Sequence, residues 1–168
     1  PQPPARGPLI SADDDLARLL AAVVPSGRTE TVATPEAWGR VLARDVVSTV
    51  HVPPEDNSAM DGYAVRVADL AQGAGTLLPV SQRIVAGRPG QPLAAGTAAR
   101  IFTGAQIPPG ADAVVMQEHC EAVAGDGLGQ VRINEMPAPG LAIRRQGEDV
   151  MRGHVVLRAG HRLDAAAI

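Results

Sequence analysis

Three short stretches gather oxygen-bearing side chains at points where the chain has to turn. The first is Pro53 to Val65, PPEDNSAMDGYAV, in which two prolines stiffen the approach and Asp56, Asn57, Ser58 and Asp61 precede Gly62 and a run suited to a strand. The second is Phe102-Thr103-Gly104-Ala105, at the end of another candidate strand, and the third is Gly147-Glu148-Asp149, which follows Arg144-Arg145. Taken singly, each is an ordinary turn whose side chains satisfy their own backbone, and composition alone favours that reading. Brought to one place, they would set carboxylate and hydroxyl oxygens facing one another, a hard-oxygen setting suited to Mg²⁺ or to a ligand carrying phosphate or oxyanion groups.

Other chemistries fail on spacing. The stretches GRPGQPLAAGT and GDGLG lack both the lysine of a G-x-x-x-x-G-K-[ST] loop and the G-x-G-x-x-G spacing before a helix. His119 and Cys120 are adjacent, so on a strand they point to opposite faces, and His51, His154 and His161 add no helpful spacing; solvated or core-edge histidines are the better reading. A calcium loop starting at Asp56 fails because its fifth position is Met60 and its twelfth is Val67, where Glu is required. Arg144 and Arg145 have the fork geometry that suits phosphate, but exposed arginines are more often simply solvated, and they stay outside the candidate set.

Composition narrows the class. The 168 residues suffice for one medium domain or two small ones, and 45% apolar with 20% charged residues describes a globular chain rather than a disordered one. Trp38, Tyr63 and Phe102 are the only aromatics, so the core falls to aliphatic side chains and a stacking platform for nucleic-acid bases is not expected. With 15 basic and 18 acidic residues the net charge is -3, which does not attract a phosphate backbone. The single cysteine, Cys120, rules out an internal disulfide and suits a reducing cytoplasm. No apolar run approaches a membrane span, and PQPPARGPLI has neither the basic start nor the apolar centre of a secretory signal; residues 1–8 read as a disordered tail.

The elements that must position the three stretches follow from periodicity. Ser11 followed by Asp14 resembles a helix start, and Leu16, Leu19, Leu20, Val23 and Val24 share one face of a helix over 11–24. A second, shorter helix is expected from Thr34 as N-cap with Pro35 behind it, running through Trp38, Val41 and Leu42. From Val46 the texture becomes β-type, with candidate strands at Val46–Val52, Tyr63–Val67, Pro79–Ile84, Ala98–Phe102, Ala113–Val123, Gln130–Asn134 and His154–Leu157, and AGDGLG at 124–129 as a hairpin turn. Leu163-Asp164 opens a further helix of which only one turn is present, so a continuation is expected. The class is α+β, β-rich.

VPPEDNSAMDGYAV, RIFTGAQIPPGADAVVMQE and IRRQGEDV, in this order and with these separations, resemble the signature blocks of the molybdopterin molybdenumtransferase family, whose animal relatives include the E domain of gephyrin. GRVLARDVVS and LRAGHRL fit the same pattern, so the resemblance runs from residue 9 to the end. It implies an enzyme that receives adenylylated molybdopterin, releases AMP and places molybdate on the dithiolene with a divalent cation, taken as Mg²⁺. The family's functional residues fall on Asp61, Thr103 and Asp149, with Asp61 and Asp149 as the metal-binding pair and Asn57, Ser58, Gly104 and Glu148 as substrate-binding neighbours. Glu55 stands where relatives commonly carry an aromatic, Phe102 where Met is usual, and Leu141-Ala142 where polar residues are frequent; none of these removes a residue given a chemical role.

The resemblance also implies an arrangement. Residues 9–28 carry an amphipathic helix that packs on a pocket domain, 29–47 and 154–168 form a connecting domain, and 48–153 are an inserted mixed α/β-type, β-rich domain bearing the site loops. A following α/β domain, which holds the pterin and molybdate, and a small C-terminal β domain are expected after Ile168. A cytoplasmic homodimer with a small-molecule substrate is implied, in which the pocket domain of one subunit meets the β-rich domain of the other. This chain is therefore expected to be inactive alone. A non-catalytic dimerisation or scaffold module of the gephyrin type is the alternative, and intact Asp61, Thr103 and Asp149 argue against it.

Overall fold

Ser11 starts the first element by setting its hydroxyl against the amide of Asp14, 3.1 Å away, and the helix Ala12–Ala21 (α1) follows with three aspartates in its first turn. The computed structural model describes residues 10–70 and 75–168, so the tail read at 1–8 lies outside the described residues. α1 ends before Val24, and its apolar stripe is bare: Leu16, Leu19 and Leu20, with Val23 and Val24 beyond it, are all exposed, and no residue of the helix is buried.

The second expected helix does not form. Only a 3-10 turn at Thr34–Glu36 is present, Ala33 stands at the cap position instead of Thr34, and no side chain caps it. Gly39 takes φ +74°, which turns the backbone off the helical path. The chain after it runs beside 162–163: the Gly39 amide donates to the Leu163 carbonyl at 2.9 Å, the Leu163 amide to the Arg40 carbonyl at 2.8 Å, and Val41 bridges to Arg162. Leu163-Asp164 opens a turn in which the Asp164 carboxylate accepts from the amides of Ala166 and Ala167. The described parts of Pro1–Ala43 and Arg162–Ile168 make one compact unit, and those of Arg44–His161 make the other.

The second unit is built of strands. They are β1 (Val46–Val47), β2 (Asn57–Ser58), β3 (Gly62–Val65), β4 (Thr76–Ile84), β5 (Ala98–Ile101), β6 (Ala113–Met116), β7 (Cys120–Val123), β8 (Gln130–Ile133), β9 (Ile143–Arg144) and β10 (Val155–Leu157). β1 pairs with β10 and β2 with β9, both antiparallel, while the other six form one sheet in the order β6-β3-β5-β4-β8-β7. Among the described residues only β4 and β5 run parallel; β7 and β8 are the hairpin expected around 124–129.

One expected strand is two. Ala113–Val123 breaks at a 3-10 turn, Gln117–His119, so β6 lies on one edge of the sheet and β7 on the other. The step from Met116 to Cys120 spans at most roughly 14 Å, so the two edges must approach and the sheet must curl. Side chains alternate accordingly between two cores. Tyr63, Val65, Leu78, Val115, Val131 and Ile133 form one, and Ala64, Ile84, Leu93, Ile101 and Val114 form the other. All four residues of β3 are buried, which is why it reads as a nearly continuous apolar run.

Gly62 at the start of β3 has a steric cause. A Cβ there would lie 2.0 Å from the Val115 carbonyl oxygen, so the close approach of β6 requires glycine in the Asp61-Gly62-Tyr63 sequence.

Candidate functional site

Two residues of backbone bring the three loops together. Asn57 in β2 stands opposite Arg144 in β9 and also bridges to Gln106, while Ser58 stands opposite Ile143. On the other side the Ser58 amide donates to the Ala105 carbonyl at 2.9 Å and the Gly104 amide to the Ser58 carbonyl at 2.8 Å. β2 is thus held between the Thr103-Gly104-Ala105 turn and the strand that leads into Gly147-Glu148-Asp149. The sequence marks β2 poorly, because Asn-Ser is a turn dipeptide by composition and becomes a strand only through its two neighbours.

Asp61 and Thr103 meet directly. The Asp61 Oδ1 atom accepts from the Thr103 amide at 2.8 Å and from the Thr103 hydroxyl at 2.7 Å. The amide first and then the hydroxyl favour the ionised carboxylate and hold its pKa below the usual range; desolvation opposes them, and the nearby Arg100 charge adds a smaller effect in their favour. Its Oδ2 atom makes no hydrogen bond within the protein among the described residues. Gly104, at φ +78°, provides the left-handed residue of the turn that presents Thr103.

Asp149 and Glu148 are occupied differently. Both oxygens of Asp149 accept from one terminal nitrogen of Arg144, each at 2.7 Å, and Glu148 accepts from the Arg144 Nε at 3.4 Å and from the Arg145 amide at 3.0 Å. Asp149, the first cause, and Glu148 together raise the Arg144 pKa further above its ordinary value. Arg145 in turn donates to Asp56 at 2.6 Å, and the Gln146 amide donates to the other Asp56 oxygen at 2.7 Å. That amide, with Arg145 behind it, holds the Asp56 carboxyl below its usual range.

The pairing sorts the expected residues. Asp61 and Thr103 form one constellation, Glu148 and Asp149 another around Arg144, and among the described residues no hydrogen bond joins the two. Asn57 and Gly104 contribute backbone contacts. Ser58 is buried and its hydroxyl donates to the Met60 carbonyl at 2.6 Å, which commits it to shaping its own loop. Among the described residues no three His, Cys, Asp or Glu side chains gather as a metal site. Both oxygens of Asp149 lie on the Arg144 guanidinium, whereas Asp61 keeps one oxygen without a hydrogen bond among the described residues, the simpler arrangement for a hard cation. His119, set beside Cys120 in the sequence, instead bonds Glu135 at 2.6 Å.

Two sets of contacts escaped the sequence reading. Asp56 ties the Pro53–Ser58 loop to Arg145-Gln146, and its Asp-before-turn character gave no hint of a partner some 90 residues away. Tyr63 and Phe102, two of only three aromatics in the sequence, each pack against the Arg100 guanidinium, a shared contact that their spacing in the chain did not indicate.

Residues 10–168 match the profile of the MoeA N-terminal region, domain I and II. The chain is 40% identical to the molybdopterin molybdenumtransferase of Haemophilus influenzae, over 95% of this chain and 39% of that protein, and 41% identical to molybdopterin molybdenumtransferase 2 of Mycobacterium tuberculosis, over 90% and 37%. The crystal structure of the molybdopterin biosynthesis moeA protein from Pyrococcus horikoshii OT3 superposes with a TM-score of 0.84 at 37% identity, covering 95% of this chain and 42% of that one. The chain therefore spans about two fifths of the length of these relatives. On the profile match and these identities, it belongs to the MoeA N-terminal family and is related to the molybdopterin molybdenumtransferases of molybdenum cofactor biosynthesis.

Proposed function

We propose that this chain supplies one wall of the active site of a transferase that inserts molybdate into adenylylated molybdopterin with release of AMP. The observation that supports this most is the Asp61–Thr103 pair, an ionised carboxylate fixed through one oxygen and left with a second oxygen for a ligand. Such a carboxylate suits a Mg²⁺ ion shared with substrate phosphates, because that ion commonly takes one or two carboxylates and completes its shell with phosphate and water. When bound, it would offset the negative charge that accumulates as AMP leaves.

The residues divide the work. Asp61 faces the cation and Thr103 fixes the carboxylate that does so. Gly104 and Asn57 shape the wall through their backbones, and Ser58 stiffens the loop leading to Asp61. Asp149 and Glu148, through Arg144, hold the third loop in place and are positioning residues rather than metal ligands. The wider arrangement belongs to the same proposal: a cytoplasmic homodimer, residues 29–47 and 154–168 as a connecting domain, 48–153 as the inserted domain, and α1 lying on a pocket domain. The relatives carry transferase names, and no observation favours the scaffold alternative.

The test is made in the full-length protein. Asp61→Asn should reduce AMP release and active-cofactor formation by at least about 100-fold while leaving the melting temperature near that of the parent, because an exposed turn carboxylate contributes little packing. Near-parental turnover in that variant would overturn the reading.

A further inference from the structure

Beside the Asp61–Thr103 pair, a row of side chains crosses the curled sheet that the reading above leaves without a role. Arg83 in β4 and Arg100 in β5 are register partners, and Arg100 in turn stands opposite Tyr63 in β3. Phe102 follows two residues after Arg100, on the same face. The Arg83 and Arg100 guanidinium carbons lie 4.8 and 4.7 Å from the Phe102 ring centroid, and Arg100 lies 5.1 Å from that of Tyr63. With Val80 and Leu128 these four side chains line a cleft of about 360 Å³.

The sheet departs from regularity to make this row. Val80 and Arg83 are an odd number of residues apart, so a regular pleat would send them to opposite faces. A bulge between Val80 and Gln82 reverses the alternation and turns Arg83 onto the face that carries Val80 and Arg100. The result is unfavourable in isolation, since like charges directly opposite in a sheet repel. Among the described residues neither arginine forms an ion pair with a carboxylate. Arg100 donates only to neutral oxygens, the Gly62 carbonyl at 3.2 Å and the Gln117 side chain at 2.6 Å. Asp61 feels the Arg100 charge but gives its hydrogen bonds to Thr103. Two guanidiniums are therefore set side by side over aromatic rings, at a cleft, and among the described residues neither is paired with a carboxylate.

We propose that this cleft binds a small phosphate ester that carries a flat ring. Guanidinium forks suit the phosphate, and Tyr63, Phe102, Val80 and Leu128 offer the ring an aromatic and aliphatic wall. The volume falls in the range of small-molecule sites, and the net charge of -3 disfavours a long polyanion in its place. The proposal needs neither the cation nor the pocket domain.

The 168-residue chain itself is titrated, by calorimetry and by NMR of its arginine side chains, with phenyl phosphate, and separately with inorganic phosphate and with phenol. Phenyl phosphate should bind saturably and at least about tenfold tighter than inorganic phosphate, shifting the Arg83 and Arg100 side-chain signals. Arg83→Gln should weaken it by about tenfold or more without lowering the melting temperature, because it removes a like-charge contact. Phe102→Leu should weaken phenyl phosphate but leave inorganic phosphate unchanged. Phenyl phosphate binding no tighter than inorganic phosphate, or binding unchanged in both variants, would overturn the proposal. Either result would leave the assignment of Asp61 and Thr103 standing, since that rests on turnover in the full-length protein.

Discussion

Asp61 is accessible yet tightly specified, and the two facts have separate consequences. Because its hydrogen bonds from Thr103 favour the ionised form, its pKa is lower folded than unfolded, so the bonds contribute stability above the unfolded value of about 3.9 that is lost as pH falls through the folded value. Asp56, held by the Gln146 amide and Arg145, follows the same sign. Carbon-13 titration of the side-chain carboxyls should therefore find both midpoints below the ordinary aspartate range, and a normal midpoint for Asp61 would contradict its pairing. Thr103→Ala separates the contributions further. The amide is the larger cause and survives the substitution, so the Asp61 midpoint should rise only part of the way; full return to the ordinary value would mean that the turn itself had collapsed.

At the scale of elements, what was legible in the residues depended on whether the cause was local. Ser11 and Asp14 gave the start of α1, and the alternation of Gln130 to Ile133 gave β8, because capping and pleat act over a few residues. Trp38, Val41 and Leu42 misled, since their helical spacing could not outweigh Gly39 in the left-handed region. The run from Ala113 to Val123 concealed its break because both halves are β-type and only the pairing partners, β3 and β8, differ. Of the site, the three loops were legible and their seam was not: β2 exists only because β9 and the turn after β5 flank it. Gly62 looked like a turn glycine and proves to be a packing one. Gly62→Ala must move backbone, not a flexible side-chain end, so it should cost about 2 kcal/mol or more, read as a lower urea midpoint with an unchanged slope. A loss within the error of the parent would show that β3 and β6 can separate freely.

The whole chain combines a well-buried sheet with a helix that buries nothing, and its catalytic reading depends on that contrast. Amides of β3 and β6, which lie among fully buried side chains, should exchange far more slowly than those of α1, whose leucine face has no cover within the described residues. Equal protection would remove the case for a pocket domain resting on that face. The same contrast bears on activity. A pterin nucleotide requires a concave site that buries most of its surface, and the cleft beside Phe102, at about 360 Å³, is small for it. Holding reacting groups together supplies much of an enzyme's acceleration, so a wall carrying Asp61 and Thr103 should lose nearly all turnover when separated from its pocket, not a proportion of it. Purified chain mixed with adenylylated molybdopterin, molybdate and Mg²⁺ should thus release no AMP above the uncatalysed rate, and adding the separately expressed remainder of a full-length relative should restore it. Restoration should fail with Asp61→Asn and persist with Glu55→Phe, which changes a loop residue outside both constellations. Turnover by the 168-residue chain alone would mean that the pocket is not needed and that the division of the site between domains is wrong.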